Sequence, residues 1–186
     1  MKLLTLFGSP RTKGNTAALL NSFLEGVKGK EGVEVELINL NKKDIKPCQG
    51  CESCRKPPYL ECIINDDIQD LHKKVIETDI LVFATPVYWW NISAQLKLFI
   101  DRLYALAGEE GNYKCLHGKK IVILMTYQGS DPNSGAKLVV DAFKDIAEYL
   151  KMDIVGVLGV CSQVPVKENQ DALNKAFKLG EQVIEQ

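Results

Sequence analysis

Short apolar runs recur along this 186-residue chain, and each is followed by a stretch with apolar residues at helical spacing. Residues 2–7 (KLLTLF), 80–84 (ILVFA) and 120–125 (KIVILM) carry almost no polar interruption. Such a strand has no face left for water, so it belongs inside a parallel sheet covered on both sides. Residues 33–40 set Val33, Val35 and Leu37 on alternate positions, and residues 153–160 read as a fifth strand. The intervening segments 15–27, 66–76, 93–106, 135–150 and 168–184 read as helices. In the first, Ala18, Leu19, Phe23 and Val27 share one side; in the third, Leu96, Phe99, Ile100 and Leu103 are spaced for a core face. The 66–76 helix opens on acidic residues, which suits the positive end of its dipole.

Five strands interleaved with five helices predict an α/β three-layer sandwich around a five-stranded parallel sheet. At this length the expected order is the flavodoxin-like 2-1-3-4-5, in a single domain spanning 1–186 with a cysteine-rich loop at about 46–65. Ligands of such sheets sit beyond the carboxyl ends of the strands, beside the point where strand order reverses. That singles out the loops at 8–16, 41–65, 85–92 and 126–134. The charge balance, 23 basic against 24 acidic residues, gives no electrostatic ground for nucleic acid or an anionic membrane as partner. No apolar run approaches the roughly 18 residues of a membrane span. Only Leu3 to Phe7 stand between Met1-Lys2 and Gly8, short of the roughly 7–15 apolar residues of a secretory signal. The expected compartment is the cytoplasm, where thiols stay reduced.

The first loop carries Ser9, Arg11, Gly14, Asn15 and Thr16 just before the first helix. Free N–H groups at that helix start, with the planar fork of Arg11, suit an anion. The spacing matches neither G-x-x-x-x-G-K-[ST] nor G-x-G-x-x-G, so a phosphate monoester remains, as in a mononucleotide such as FMN. The competing reading is a polar turn with Asn15 as helix cap. The second loop sets Thr85, Pro86, Val87, Tyr88, Trp89, Trp90 and Asn91 at the third strand's end. Three adjacent aromatics offer stacking area, and the backbone can bond a heterocycle's edge. Alternatively, one tryptophan caps the core or joins a subunit interface. Thr126, Tyr127, Gln128 and Gly129 stand on the same rim at the fourth strand's end.

Four of the six cysteines fall between Cys48 and Cys62, as C-x2-C-x2-C-x7-C. Cys48, Cys51 and Cys54 at steps of three resemble runs that wrap one corner of an iron–sulfur cube. A structural zinc site prefers two separated knuckles. A redox C-x-x-C would open a helix after a strand, whereas this run follows Lys46-Pro47 and is kept irregular by Pro57-Pro58. Cluster, free thiols and zinc all stay open on spacing alone.

Taken together, Gly8-Ser9-Pro10-Arg11, Gly14-Asn15-Thr16, the 85–94 segment with Lys97 and Asp101-Arg102, and the cysteine segment resemble one family. It is that of the flavodoxin-fold NAD(P)H-dependent FMN reductases, especially the branch holding the iron–sulfur flavoproteins. The resemblance implies FMN, with its phosphate on the 9–16 loop and its isoalloxazine ring against 85–91 and 127–129. It implies NAD(P)H as donor and a homodimer or homotetramer. In iron–sulfur flavoproteins a compact four-cysteine motif holds a [4Fe–4S] cluster, and related flavoproteins carry similar cysteines without one. Hydride transfer to flavin is the cofactor's chemistry, so no catalytic acid or base is assigned. His72 and His117 read as surface or structural, Lys97, Asp101 and Arg102 as a solvated helix face or a structural ion pair, and Cys115 and Cys161 as small, partly buried residues. Three functions follow as expectations. The first is an FMN-dependent oxidoreductase with a small acceptor such as a quinone or flavin. The second is an iron–sulfur flavoprotein serving ferredoxin-type partners, and the third a non-enzymatic redox- or metal-sensing module.

Overall fold

In the computed structural model, which describes residues 1–57, 61–108, 111–130 and 133–185, every strand joins one parallel sheet. β1 (Lys2–Phe7), β2 (Glu34–Asn39), β3 (Ile80–Pro86), β4 (Lys120–Tyr127) and β5 (Asp153–Cys161) stand in the flavodoxin-like order β2-β1-β3-β4-β5. Leu3 pairs with Ile80 and Leu6 with Phe83, so the two most apolar runs lie side by side at the centre. Alternation of side chains then makes two cores. Leu3 and Phe7 meet α1 (Asn15–Val27) and α5 (Gln170–Glu185) through Leu19, Leu20, Phe23 and Val183. Leu4 and Leu6 meet α2 (Ile68–Glu77), α3 (Ala94–Arg102) and α4 (Ala136–Leu150) through Leu71, Phe99 and Phe143. Among the described residues no helix is long and apolar enough to cross a membrane.

The two helices on the first face touch through glycine. A Cβ on Gly26 would stand 2.0 Å from the Phe177 carbonyl oxygen, and one on Gly180 would stand 2.1 Å from that of Phe23. The backbones therefore meet where no side chain fits.

Several boundaries differ from the sequence reading, each for a local reason. On β2 the alternating apolar residues are not the buried ones: Val35 and Leu37 are 41% and 50% exposed, while Ile38 is buried. β2 is the edge strand, and α1 packs over β3 and β4 instead. The third helix starts after Ser93, whose Oγ accepts the Leu96 N–H at 3.3 Å. It gives way after Arg102 to a tighter turn over Leu103–Ala107, stopped by Gly108 at φ 67°. The last helix starts at Gln170 because Asn169 Oδ1 receives the Ala172 N–H at 3.1 Å. The second starts at Ile68 rather than 66, since Asp66 accepts the Ile68 N–H and points into the protein. β3 and β4 run two residues further than expected, so Thr85, Pro86, Thr126 and Tyr127 belong to strands. Pro58, expected to keep the cysteine loop irregular, lies outside the described residues.

Candidate functional site

At the carboxyl ends of β1, β3 and β4 lies a cavity of about 280 Å³. The loop after β1 lines it with Ser9, Arg11, Gly14, Asn15 and Thr16. Gly14 is the N-cap of α1, no side chain caps that end, and its first turn holds no acidic residue. The helix start therefore keeps its positive end turned to the cavity. Asn15 is not the cap; its Oδ1 accepts the Val166 N–H at 3.1 Å and braces the loop against the β5–α5 connection. Gly14 is also close-fitted, since a Cβ there would meet Arg11 at 3.0 Å. Ser9 Oγ receives the Arg11 N–H at 3.2 Å.

Pro86, Val87 and Tyr88 line one wall, and Thr126, Tyr127 and Gln128 another. Buried Thr16 and Thr126 share a hydrogen bond of 2.7 Å between their hydroxyls, latching the α1 start to the end of β4. Thr85 does not reach the cavity. It is fully buried, donating to the Pro86 carbonyl at 2.8 Å and receiving the Ser93 N–H at 3.0 Å. Gly129 and Asn91 also stand outside the lining; Asn91 Oδ1 takes the Ile92 N–H.

Trp89 and Trp90 lie beyond the cavity, at the tip of a tight turn. Tyr88 and Asn91 exchange two backbone hydrogen bonds of 2.8 and 3.0 Å, with φ of 48° at Trp89 and 61° at Trp90. This geometry normally selects Asn-Gly. Each left-handed non-glycine residue costs roughly 1–2 kcal/mol. Trp90 is secured by its Nε1, which donates to the Asn133 carbonyl at 3.0 Å. Trp89 is 89% exposed and has almost no burial to lose. Trp89→Asn should therefore raise the unfolding free energy by up to about 1 kcal/mol in urea titrations, since asparagine tolerates this conformation. A lower stability would refute the strain.

The cysteines form a second cavity, against the C-terminal end of α3 and the turn that follows it. Cys48, Cys51, Cys54 and Cys62 all line it, together with Asp101, Arg102 and Tyr104, around a volume of about 20 Å³. All four are free thiols; Cys54 is buried, Cys62 half-buried, and Cys48 and Cys51 exposed. Hydrogen bonds from Ser53 lower the Cys51 thiol's pKa, whereas burial and then the neighbouring thiols raise that of Cys54. Among the described residues no three His, Cys, Asp or Glu side chains gather closely enough for one metal ion. A cluster asks for something different, because each thiolate binds its own iron and the sulfurs stand around a space. Four thiols around one cavity match that demand in number and donor type.

Arg102 is not part of a solvated face. It is 1% exposed, and its guanidinium pairs with Asp66, whose side chain is 0% exposed, at 2.7 Å. Only Lys97 and Asp101 form the surface pair. Burial opposes the Asp66 charge, but hydrogen bonds from Arg102, Lys46 N–H and Ile68 N–H outweigh it and lower the carboxyl's pKa. The Arg102 carbonyl accepts from His72 Nε2 at 3.0 Å. Burial pushes His72 down from 6.5 to about 4. A depressed pKa means stability that is complete above the unfolded value and drains as pH falls toward the folded one. Unfolding free energy should thus drop by about 3 kcal/mol between pH 6.5 and 4 from this residue alone. Urea titrations across that range should show the component vanish in His72→Gln; an identical pH slope in both proteins would exclude it. His117 is structural, its Nε2 donating to the Asn112 carbonyl at 2.7 Å.

A sequence profile of the family described as NADPH-dependent FMN reductase matches residues 1–163. The chain belongs to that family. It is 31% identical over 192 residues to an iron–sulfur flavoprotein of Archaeoglobus fulgidus, covering 100% of this chain and 80% of that protein. A second iron–sulfur flavoprotein, from Methanocaldococcus jannaschii, is 40% identical over 102 residues, covering 55% of this chain. That match spans about half of the relative's length, 51%. In fold, the chain superposes on the NAD(P)H:quinone oxidoreductase from Methanothermobacter marburgensis with a TM-score of 0.75 at 18% identity, over 98% of both chains.

Membership in the FMN reductase family makes this an NAD(P)H-dependent oxidoreductase, which sets aside the non-enzymatic reading. Two features of this reductase escaped the sequence reading. Ser162 lines the first cavity from the end of β5, outside the four loops singled out; its N–H and Oγ both donate to the Tyr127 carbonyl. The other is Asp66 as the partner of Arg102, for which a structural ion pair was expected without a partner being named. The pair left a trace, because Arg102 follows Leu96 and Phe99 at steps of three on the apolar side of α3.

Proposed function

We propose that this reductase binds FMN in the 280 Å³ cavity and exchanges electrons with a [4Fe–4S] cluster held by Cys48, Cys51, Cys54 and Cys62. The observation that carries this reading is the convergence of all four cysteines on one cavity. The iron–sulfur flavoprotein relatives support it. Bound FMN would supply hydride acceptance from NAD(P)H and one-electron delivery, and the cluster one-electron storage.

The chain's own groups bind and orient. The α1 N–H groups, Ser9, Gly14, Asn15 and Thr16, with the Arg11 fork, take the phosphate. Val87, Tyr88, Tyr127 and the backbone near Gln128 take the ring system, with Pro86 and Thr126 completing its walls. Thr85, Trp89, Trp90, Asn91 and Gly129 shape these loops. The exposed Trp89 tip supports self-association as a dimer or tetramer.

Arg11→Ala should weaken FMN binding about tenfold, the loss of one exposed charge-assisted contact of about 1.4 kcal/mol. Flavin-fluorescence titration reads it, and an unchanged Kd would remove the phosphate assignment. The wider test is anaerobic purification, with iron and sulfide analysis and a spectrum before and after NADPH. Flavin with four irons per chain, both reduced by NADPH or by a reduced ferredoxin, is the expected result. The small cavity and two exposed thiols favour one rival, a cluster-free reductase passing electrons to a quinone or flavin. Flavin without iron would establish that rival.

A further inference from the structure

Among the described residues, the cysteine loop holds only one short 3-10 turn, Ser53–Arg55. Its two ends are nevertheless fastened at a single point. Arg102 Nη1 donates to the Lys46 carbonyl at 2.6 Å, just before Cys48. Its Nη2 donates to the Ile64 carbonyl at 3.4 Å and to Cys62 Sγ at 3.2 Å, at the other end. Asp66 faces both nitrogens, its Oδ2 accepting from Nη1 at 2.7 Å and its Oδ1 from Nη2 at 3.1 Å. Asp66 Oδ2 also takes the Lys46 N–H at 2.9 Å, so the carboxylate ties the same two ends a second time. Gln69 adds its Nε2, donating to the Cys62 and Ile64 carbonyls at 3.1 and 2.6 Å.

The charge arithmetic shows what this arrangement is for. A bidentate Asp–Arg pair is neutral as a unit and needs no further partner for charge. Yet the guanidinium stands against the one cysteine that follows the seven-residue gap, and both line the cysteine cavity. A planar fork reaches a carboxylate, two carbonyls and a sulfur at once; the point charge of a lysine does not.

We propose that Arg102 is the positioning residue of the cysteine site: held by Asp66, it closes the loop and donates a hydrogen bond to Cys62 sulfur that persists when that sulfur is an iron ligand. The second half of this statement rests on the cluster reading above; the loop clamp does not. A hydrogen bond to a ligand sulfur stabilises the more negative, reduced cluster and raises its potential. Arg102 thus sets both whether the fourth ligand is in place and how readily the site accepts an electron.

The test uses wild-type protein, Arg102→Lys, and the charge-free double variant Arg102→Met with Asp66→Leu, all purified anaerobically. Flavin content and far-UV dichroism report folding. Hydrogen exchange in the metal-free proteins reads the clamp alone. Amides over residues 44–57 and 61–66 should exchange at least tenfold faster in both variants, while those of β1 and β3 stay as in wild type. In the iron-loaded proteins, both variants should hold several-fold less iron. The cluster that Arg102→Lys retains should titrate at a lower midpoint potential. Loop exchange equal to wild type in folded variants would overturn the clamp. An unshifted potential at full iron content would overturn the sulfur contact. Wild-type protein free of iron and sulfide would refute the cluster reading and with it the ligand role, while the exchange data still decide the clamp.

Discussion

Gly180→Ala should cost the protein about 3 kcal/mol or more, against a total of roughly 5–15 kcal/mol for a domain. One methyl group in a helix ordinarily helps, by up to about 1 kcal/mol over glycine. Here it must enter the space 2.1 Å from the Phe23 carbonyl oxygen and 3.2 Å from Gly26 Cα. Those obstacles are backbone inside α1, so no side chain can rotate out of the way. Relief requires α1 and α5 to separate, which loosens the core around Phe23 and Val183. Urea unfolding followed by helix dichroism measures the loss as a lower midpoint at similar slope. Gly26→Ala should behave alike, and the two together should lose less than their sum, because the first separation makes room for the second. Lys178→Ala, on the exposed side of α5, should fall within about 0.5 kcal/mol of wild type. A Gly180→Ala protein with the wild-type midpoint would show that the helices do not touch in this way.

Asp66→Ala should cost about 3–5 kcal/mol. The charge of Arg102 would remain at 1% exposure with its counter-charge gone. Two backbone donors, Lys46 and Ile68 N–H, would lose their acceptor as well. Removing both charges, with Asp66→Leu and Arg102→Met, should recover most of that loss, since the desolvation of the pair disappears along with its attraction. Guanidinium-free denaturation with urea keeps the measurement clear of added ions. A lone Asp66→Ala no less stable than the double variant would mean that the stranded guanidinium costs nothing. The acid limb follows in sign: a carboxyl held below its ordinary pKa stabilises above about 3.9 and loses that stabilisation as pH falls further.

The sheet could be read from the chain because buried parallel strands leave an unmistakable pattern, and β1, β3 and β4 carry it in full. β2 was legible as a strand but not in its buried face, since an edge strand keeps apolar residues whether or not a helix covers them. The first cavity was legible through its backbone logic: a strand end, glycines and a helix start must lie together whatever the side chains do. The limits of that cavity were not. Trp89 and Trp90 looked like its walls, but whether an aromatic faces a pocket depends on the hand of a four-residue turn, and two tryptophans in the left-handed region are not foreseeable from propensity. Arg102 was foreseen as a solvated residue or a structural ion pair, and the choice between them stayed open for a different reason. Its partner Asp66 stands 36 positions away in sequence, and a buried charge is recognised only once its counter-charge is found.

The Arg102–Asp66 fastening has a consequence for the order of assembly. Small metal-binding modules commonly fold around their metal, and without it they have no structure. In this chain the base of the cysteine loop is fastened by a residue of α3, itself docked on the sheet through Leu96 and Phe99. The position of the loop's base therefore depends on the docked α3 scaffold and not on a metal. On the cluster reading proposed above, iron would then enter a protein whose sheet and helices are already in place.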